Sequence, residues 1–309
     1  MKDSLSPIVF WEREEKVMQQ FLQQIINGLS LGSIYALVAL GYTMVYGIIK
    51  LINFAHGDIY MLGAYIGFIC ITQLNMPFIP ALICSMVLCA VIGVLIEKIA
   101  YKPLRNATRI AALITAIGVS FFLQNATMLA MGSNVRSYPP VLSDAVIEFA
   151  GLRISHQQIY IFVITVVLMC LLQFIVKYTK IGRAMRAVSV DSDAARLMGI
   201  NVDQTISITF AIGSALAGAA GILVGIYYNT INPMMGSVPG LKAFIAAVFG
   251  GIGIIPGAMF GGFAIGIIET LVVGYGSSLY KDAVVYVILI LILILKPAGL
   301  LGKNRKEKV

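Results

Sequence analysis

Charge is what this sequence has least of. Asp, Glu, Lys and Arg make up 12% of its 309 residues, against 59% hydrophobic residues, and the mean hydropathy is +0.93. Soluble globular domains carry about twice that share of charge, roughly 25%, so a soluble enzyme is excluded. The net charge of +8 does not point to nucleic acid, because it is concentrated in a few loops and the last residues. Histidine occurs only at His56 and His156, far apart in the chain. Cys70, Cys84, Cys89 and Cys170 all lie in apolar runs, and their spacing fits neither a disulfide framework nor a zinc site. They read as buried, reduced thiols. No GxxxxGK[ST] phosphate loop occurs, so ATP, if it drives this protein, is bound by another subunit. No catalytic constellation stands out, and no cofactor or metal is expected. No cleavable signal peptide is evident, since the first apolar run has no cleavage-like site.

Long apolar runs are what the sequence does have. Several approach the ~20 residues that cross a bilayer as a helix, and helices satisfy their own backbone in lipid. The expected fold is all-α: a polytopic transmembrane helical bundle of eight or nine spans. Residues 1–20 read as an amphipathic lead, 21–302 as the membrane domain and 303–309 as a basic tail. Basic clusters at Lys98–Arg109, Lys177–Arg196 and Lys303–Lys308 mark the cytoplasmic side. Gly132–His156 and Asn229–Pro239 then lie outside. Counting crossings gives N-outside and C-inside with nine spans if Leu241–Gly250 crosses, and eight if it is re-entrant. The stretch Leu241–Glu269 is too long for one straight span. Gly250, Gly251, Gly253, Pro256 and Gly257 predict a broken helix at its centre, over Gly250–Gly257.

The longest well-charged run is 177–204, KYTKIGRAMRAVSVDSDAARLMGINVDQ. Alanines, Leu197 and Met198 favour helix. Asp191 or Ser192 is placed to cap a second short helix, and Gly199 to end it. Two short surface helices joined near Ser189–Asp191 are predicted. Their apolar sides meet either the bilayer edge or a partner protein.

Polar residues in apolar surroundings are the remaining candidates. Asn53, His56 and Asp58 interrupt the pattern before the second span, where the three cap and stabilise a helix break, or His56 with Asp58 binds a proton or metal. Lys242 and Glu269 are costly at depth, by ~2.5–3.5 kcal/mol each on insertion scales. They line a pathway, pair with each other, or sit at helix ends near an interface.

Three stretches in order resemble one family. GLSLGSIYALVALGYTMVYGIIKLINFAHGDIYMLGAY is similar to the opening of permease subunits of bacterial branched-chain amino-acid ABC transporters. GRAMRA followed by AARLMGIN resembles their cytoplasmic coupling loop, and KAFIAAVFGGIGIIPGAMFGG their C-terminal signature. The likeness runs from about Phe21 onward and is closest to the shorter, H-type permease.

The resemblance implies a non-enzymatic, multi-pass subunit of the bacterial inner membrane. It forms the pathway for branched-chain or related amino acids. It implies a second homologous permease, two ATP-binding-cassette ATPases that bind the ATP, an external amino-acid binding protein and surrounding lipid. Gly182, Arg183, Arg186, Ala187, Ala195, Arg196, Leu197 and Gly199 become the ATPase-coupling loop. Arg183 and Arg186 stand at its rim, with Ala187, Ala195 and Leu197 as its packing surface. Asn53, His56, Asp58, Lys242, Gly250, Gly251, Gly253 and Glu269 become candidates for the pathway or the helix break. The alternative is a proton-coupled secondary transporter using His56, Asp58 and Glu269. Such proteins embed a denser set of titratable groups at the membrane midplane.

Overall fold

A computed structural model describes residues 7–302 except 106, 144 and 150. The basic tail 303–309 lies outside the described residues. Eleven α-helices account for most of the described chain. They are α1 (Pro7–Ile49), α2 (His56–Thr72), α3 (Phe78–Ile96), α4 (Arg109–Met131), α5 (His156–Tyr178), α6 (Lys180–Val190) and α7 (Ser192–Leu197), then α8 (Val202–Tyr228), α9 (Ser237–Gly250), α10 (Ile255–Tyr275) and α11 (Lys281–Leu295). α1 is one uninterrupted helix of 43 residues, so the segment read as a lead is continuous with the first span. Helices were all that the apolar pattern predicted. Four short strands occur as well: β1 (Arg136–Ser137), β2 (Val146–Phe149), β3 (Leu152–Ser155) and β4 (Thr230–Ile231). They lie in polar loops, where the apolar periodicity carries no signal.

Contacts sort the loops onto two ends of the bundle. At one end β1 pairs antiparallel with β4, Gln23 Nε2 donates to the Arg153 carbonyl at 2.8 Å, and Gly274 packs on Gln24. At the other end Lys102 and Arg105 bridge Asp203 at 2.8 and 2.5 Å. There Gly47 also faces Gly253, and the Leu301 N–H donates to the Gly250 carbonyl at 3.1 Å. The segment 229–250, which includes α9, therefore joins the two ends, and the described residues pass between them nine times. Among the described residues, seven helices are long and apolar enough to cross a membrane alone. α2, with 17 residues, and α9, with 14, are the short passes.

An inner set of helices is wrapped by an outer one. The most apolar windows of α1 and α8 are 78% buried, whereas that of α11 is 6% buried. Residues such as Phe121, Phe122, Val167, Ile294 and Leu295 stay exposed on α4, α5 and α11. In water these would be an aggregation hazard; in a bilayer they are the lipid face. Inside, backbone meets backbone. Neither Gly266 of α10 nor its neighbour Gly32 of α1 has room for a Cβ, which is how small residues let membrane helices approach closely.

Candidate translocation site and coupling loop

Two helices start inside the bundle instead of at its ends. α1 finishes at Ile49, and residues 50–55 fold back until His56 opens α2 beside Gly41 and Gly213. These two glycines lie well inside α1 and α8. Likewise, residues 229–236 leave the far end of α8 and return inward before α9 begins at Ser237. The two starts touch: Gly57 packs against Gly236 and Gly240 with no space for a side chain. Two positive helix N-termini therefore converge at depth. Non-helical backbone is tolerated there only when buried or lining a cavity.

Asp58 answers that convergence. It is 2% exposed and accepts a hydrogen bond from Gln124 Nε2 at 2.9 Å. Gln124 also reaches Ser237 Oγ at 3.3 Å, tying α4 to the start of α9. Asn53 does not cap α2 with its side chain; its Oδ1 accepts from the Tyr101 hydroxyl at 2.9 Å. His56 is buried edge-on against Tyr42, at 4.8 Å between ring centroids. Among the described residues no cluster of three His, Cys, Asp or Glu forms a metal site. Asp58 lines a cavity of about 330 Å³ with Tyr42, Phe54, Ser120, Gln124 and Ser237.

Lys242 and Glu269 pair with each other, at 2.7 Å, both buried. Tyr35 donates its hydroxyl to the other Glu269 oxygen at 2.8 Å. Lys242 also meets Asp282 at 2.5 Å, and Lys281 approaches Glu269 at 3.9 Å. Tyr35, Asp282 and Lys281 were not picked out from the sequence. Tyr35 looks like any core tyrosine there, and the other two look like a helix start. The group lines a second cavity, of about 370 Å³, which reaches the end of the bundle carrying β4 and the start of α11. Glu269 thus belongs to a different cavity from Asp58, and the three groups of the proton-coupling alternative do not form one relay.

The glycine break falls where the sequence places it. α9 ends at Gly250 and α10 begins at Ile255, with Gly251 and Gly253 at φ +113° and +90°. Only glycine takes such angles without strain. Gly250 also packs directly on Gly257, with no space for a side chain.

The loop 177–204 forms the two expected helices. Thr179 caps α6, accepting from the Gly182 N–H at 3.1 Å. Asp191, not Ser192, caps α7, accepting from two backbone N–H groups at 2.9 Å. Gly199, at φ +81°, ends the element. Its faces differ from the expected packing surface. Ala195 is buried against the protein's own bundle, with Gly182, Met185 and Val188, and Ala187 is half-buried. Arg186 turns back to the Val176 carbonyl at the end of α5. Leu197 and Met198, by contrast, are 89% and 83% exposed, and Arg183 and Arg196 are exposed as well. Sequence reasoning missed an anchor at the same end. Glu97, fully buried, accepts from Arg105 and from Ser207 Oγ, binding the α3–α4 turn to α8.

Half-helices that meet at depth beside polar cavities are how helical transport proteins line a path for solutes. The fold belongs to that class, a multi-pass membrane permease and not an enzyme. Residues 24–293 match the family model described as branched-chain amino acid transport system / permease component, and the chain belongs to this family. It is 46% identical to the high-affinity branched-chain amino acid transport system permease protein BraD of Pseudomonas aeruginosa, over 94% of this chain and 98% of that one. Its identity to the corresponding LivH protein of Escherichia coli K12 is 46% with the same coverage. A probable branched-chain amino acid transport permease LivH of Methanocaldococcus jannaschii is 29% identical over 89% of this chain and 90% of the relative.

Proposed function

We propose that this protein is the pathway-forming permease subunit of an ATP-driven importer of branched-chain amino acids in a bacterial inner membrane. The observation that carries the reading is the family match across nearly all of the membrane domain, with 46% identity to permeases so described. Within the assembly a second, homologous permease completes the pathway. Two ATPase subunits bind the ATP, and an external binding protein delivers the amino acid.

The end of the bundle holding 97–105, 177–204 and 250–254 carries Lys98, Lys102, Arg105, Lys177, Lys180, Arg183, Arg186 and Arg196 against Glu97, Asp191, Asp193 and Asp203. The opposite end carries Arg136, Arg153 and Lys281 offset by Glu148 and Asp282. The positive-inside rule favours the first as cytoplasmic. The capped α6–α7 element then faces the ATPases, with Leu197 and Met198 as its contact surface. The test is reconstitution. Purified with its permease partner and ATPases in proteoliposomes, and given the binding protein, the complex should take up radiolabelled leucine only with ATP inside. Uptake that instead collapses with the proton gradient while ATP remains would count against the reading.

A further inference from the structure

The cavity that holds Lys242 and Glu269 has a composition the packing of the bundle does not require. It gathers two cations, Lys242 and Lys281, and two anions, Glu269 and Asp282, so its formal charge is zero. Yet the signs are spread over the cavity wall instead of closed into one pair. Lys242 is shared between Glu269 and Asp282, and Lys281 stands 3.9 Å from Glu269 with its side chain 37% exposed. Tyr60 is 1% exposed, lines the same cavity, and its hydroxyl has no hydrogen-bond partner. An unmet buried hydroxyl costs free energy unless something arrives to meet it. Beyond this polar patch the wall turns apolar, with Val224, Met234, Met235 and Val238. Methionine adapts its shape to varied apolar groups. The cavity volume of about 370 Å³ suits a small molecule.

We propose that this outward-reaching cavity is a binding site, within the permease itself, for the zwitterionic head of a free amino acid. Lys281 and Lys242 hold the α-carboxylate, Glu269 and Asp282 hold the α-ammonium, and Tyr60 donates to the carboxylate. The methionine-lined wall receives the side chain. A neutral but dipolar ligand fits a wall of equal opposite charges, because it replaces one set of ion pairs with another and leaves no charge unpaired. A ligand bearing only one of the two charges does not. The site therefore selects the amino acid a second time, after delivery. This inference rests on the importer reading above and adds to it a place where the substrate dwells.

The permease–ATPase complex in nanodiscs, without binding protein, is titrated with radiolabelled leucine. Saturable binding is expected, displaced by unlabelled leucine but not by N-acetyl-leucine or leucine methyl ester, each of which lacks one charge. Tyr60→Phe and Lys281→Gln should each weaken binding roughly tenfold or more, the loss expected for one charge-assisted hydrogen bond. Arg153→Gln, at the same end but outside the cavity, should bind as the unaltered complex does. Two results overturn the site: no saturable binding in a complex that still imports leucine, or binding by Tyr60→Phe and Lys281→Gln equal to that of Arg153→Gln. If the unaltered complex with its binding protein imports no leucine at all, the importer reading fails instead.

Discussion

Lys242 and Glu269 show how a residue's neighbours decide its meaning. Each is a costly charge in an apolar run, and sequence reasoning could find them but not tell whether they met. The bundle brings them to 2.7 Å with Tyr35 on the second carboxylate oxygen. Removing one member of such a buried pair typically costs ~3–5 kcal/mol, while replacing both by apolar residues is often neutral. Glu269→Ala should therefore lower the thermal midpoint of the purified protein clearly. Lys242→Met with Glu269→Leu should recover most of that midpoint but not leucine uptake. Differential scanning fluorimetry beside uptake separates the two, and a double variant that transports normally would leave the pair a structural role alone. His56 is the contrasting case. Its single-letter neighbourhood suggests chemistry, but its ring fills the space that Gly41 leaves and packs on Tyr42.

At the scale of elements, the α6–α7 loop was legible because its signals are local. A capping aspartate, a run of alanines and a terminal glycine act on their own neighbours and require no knowledge of the fold. Which side faces outward was not legible, because that depends on where α5 and α8 lie. The structure turns Ala195 inward and leaves Leu197 bare. Two variants should consequently behave differently. Leu197→Asp should keep the thermal midpoint and lose ATPase co-purification, since an apolar residue at the centre of an interface can contribute ~2 kcal/mol or more. Ala195→Arg should lower the midpoint of the isolated permease, because overpacking a filled site costs ~1–3 kcal/mol. Full ATPase binding by Leu197→Asp would move the docking surface elsewhere on the basic end. The half-helices were only half visible. Their polar openings, Asn53–Asp58 and Asn229–Gly236, interrupt the apolar pattern, but nothing in either stretch announces that the other is its neighbour. That contact is made by Gly57 and Gly236, which lie far apart in the chain.

For the whole molecule, the sequence carried the number of passes to within one crossing, while their direction across the membrane is a proposal that rests on loop charge. Apolar length and loop charge are additive signals, so they survive without a fold. The pass through α9 was the uncertain one because Leu241–Gly250 is too short to cross a bilayer alone, and only the return of 229–236 from the far end of α8 to the start of α9 completes the passage between the two ends. A cysteine-free version carrying Glu148→Cys should react with an impermeant maleimide added to intact cells. Asp193→Cys should react only after the membrane is opened, and the reverse pattern would invert the molecule. The meeting of α2 with α8 and α9 also has a consequence for synthesis. α2 leaves the ribosome early, with Asp58 at its start and with Gly63 and Gly67 along the face that α8 later covers. Its seat is built from segments translated much later. The growing chain must hold an unfinished helix in or beside the membrane until α8 and α9 arrive. Final closure of the bundle is thus deferred to the last third of translation.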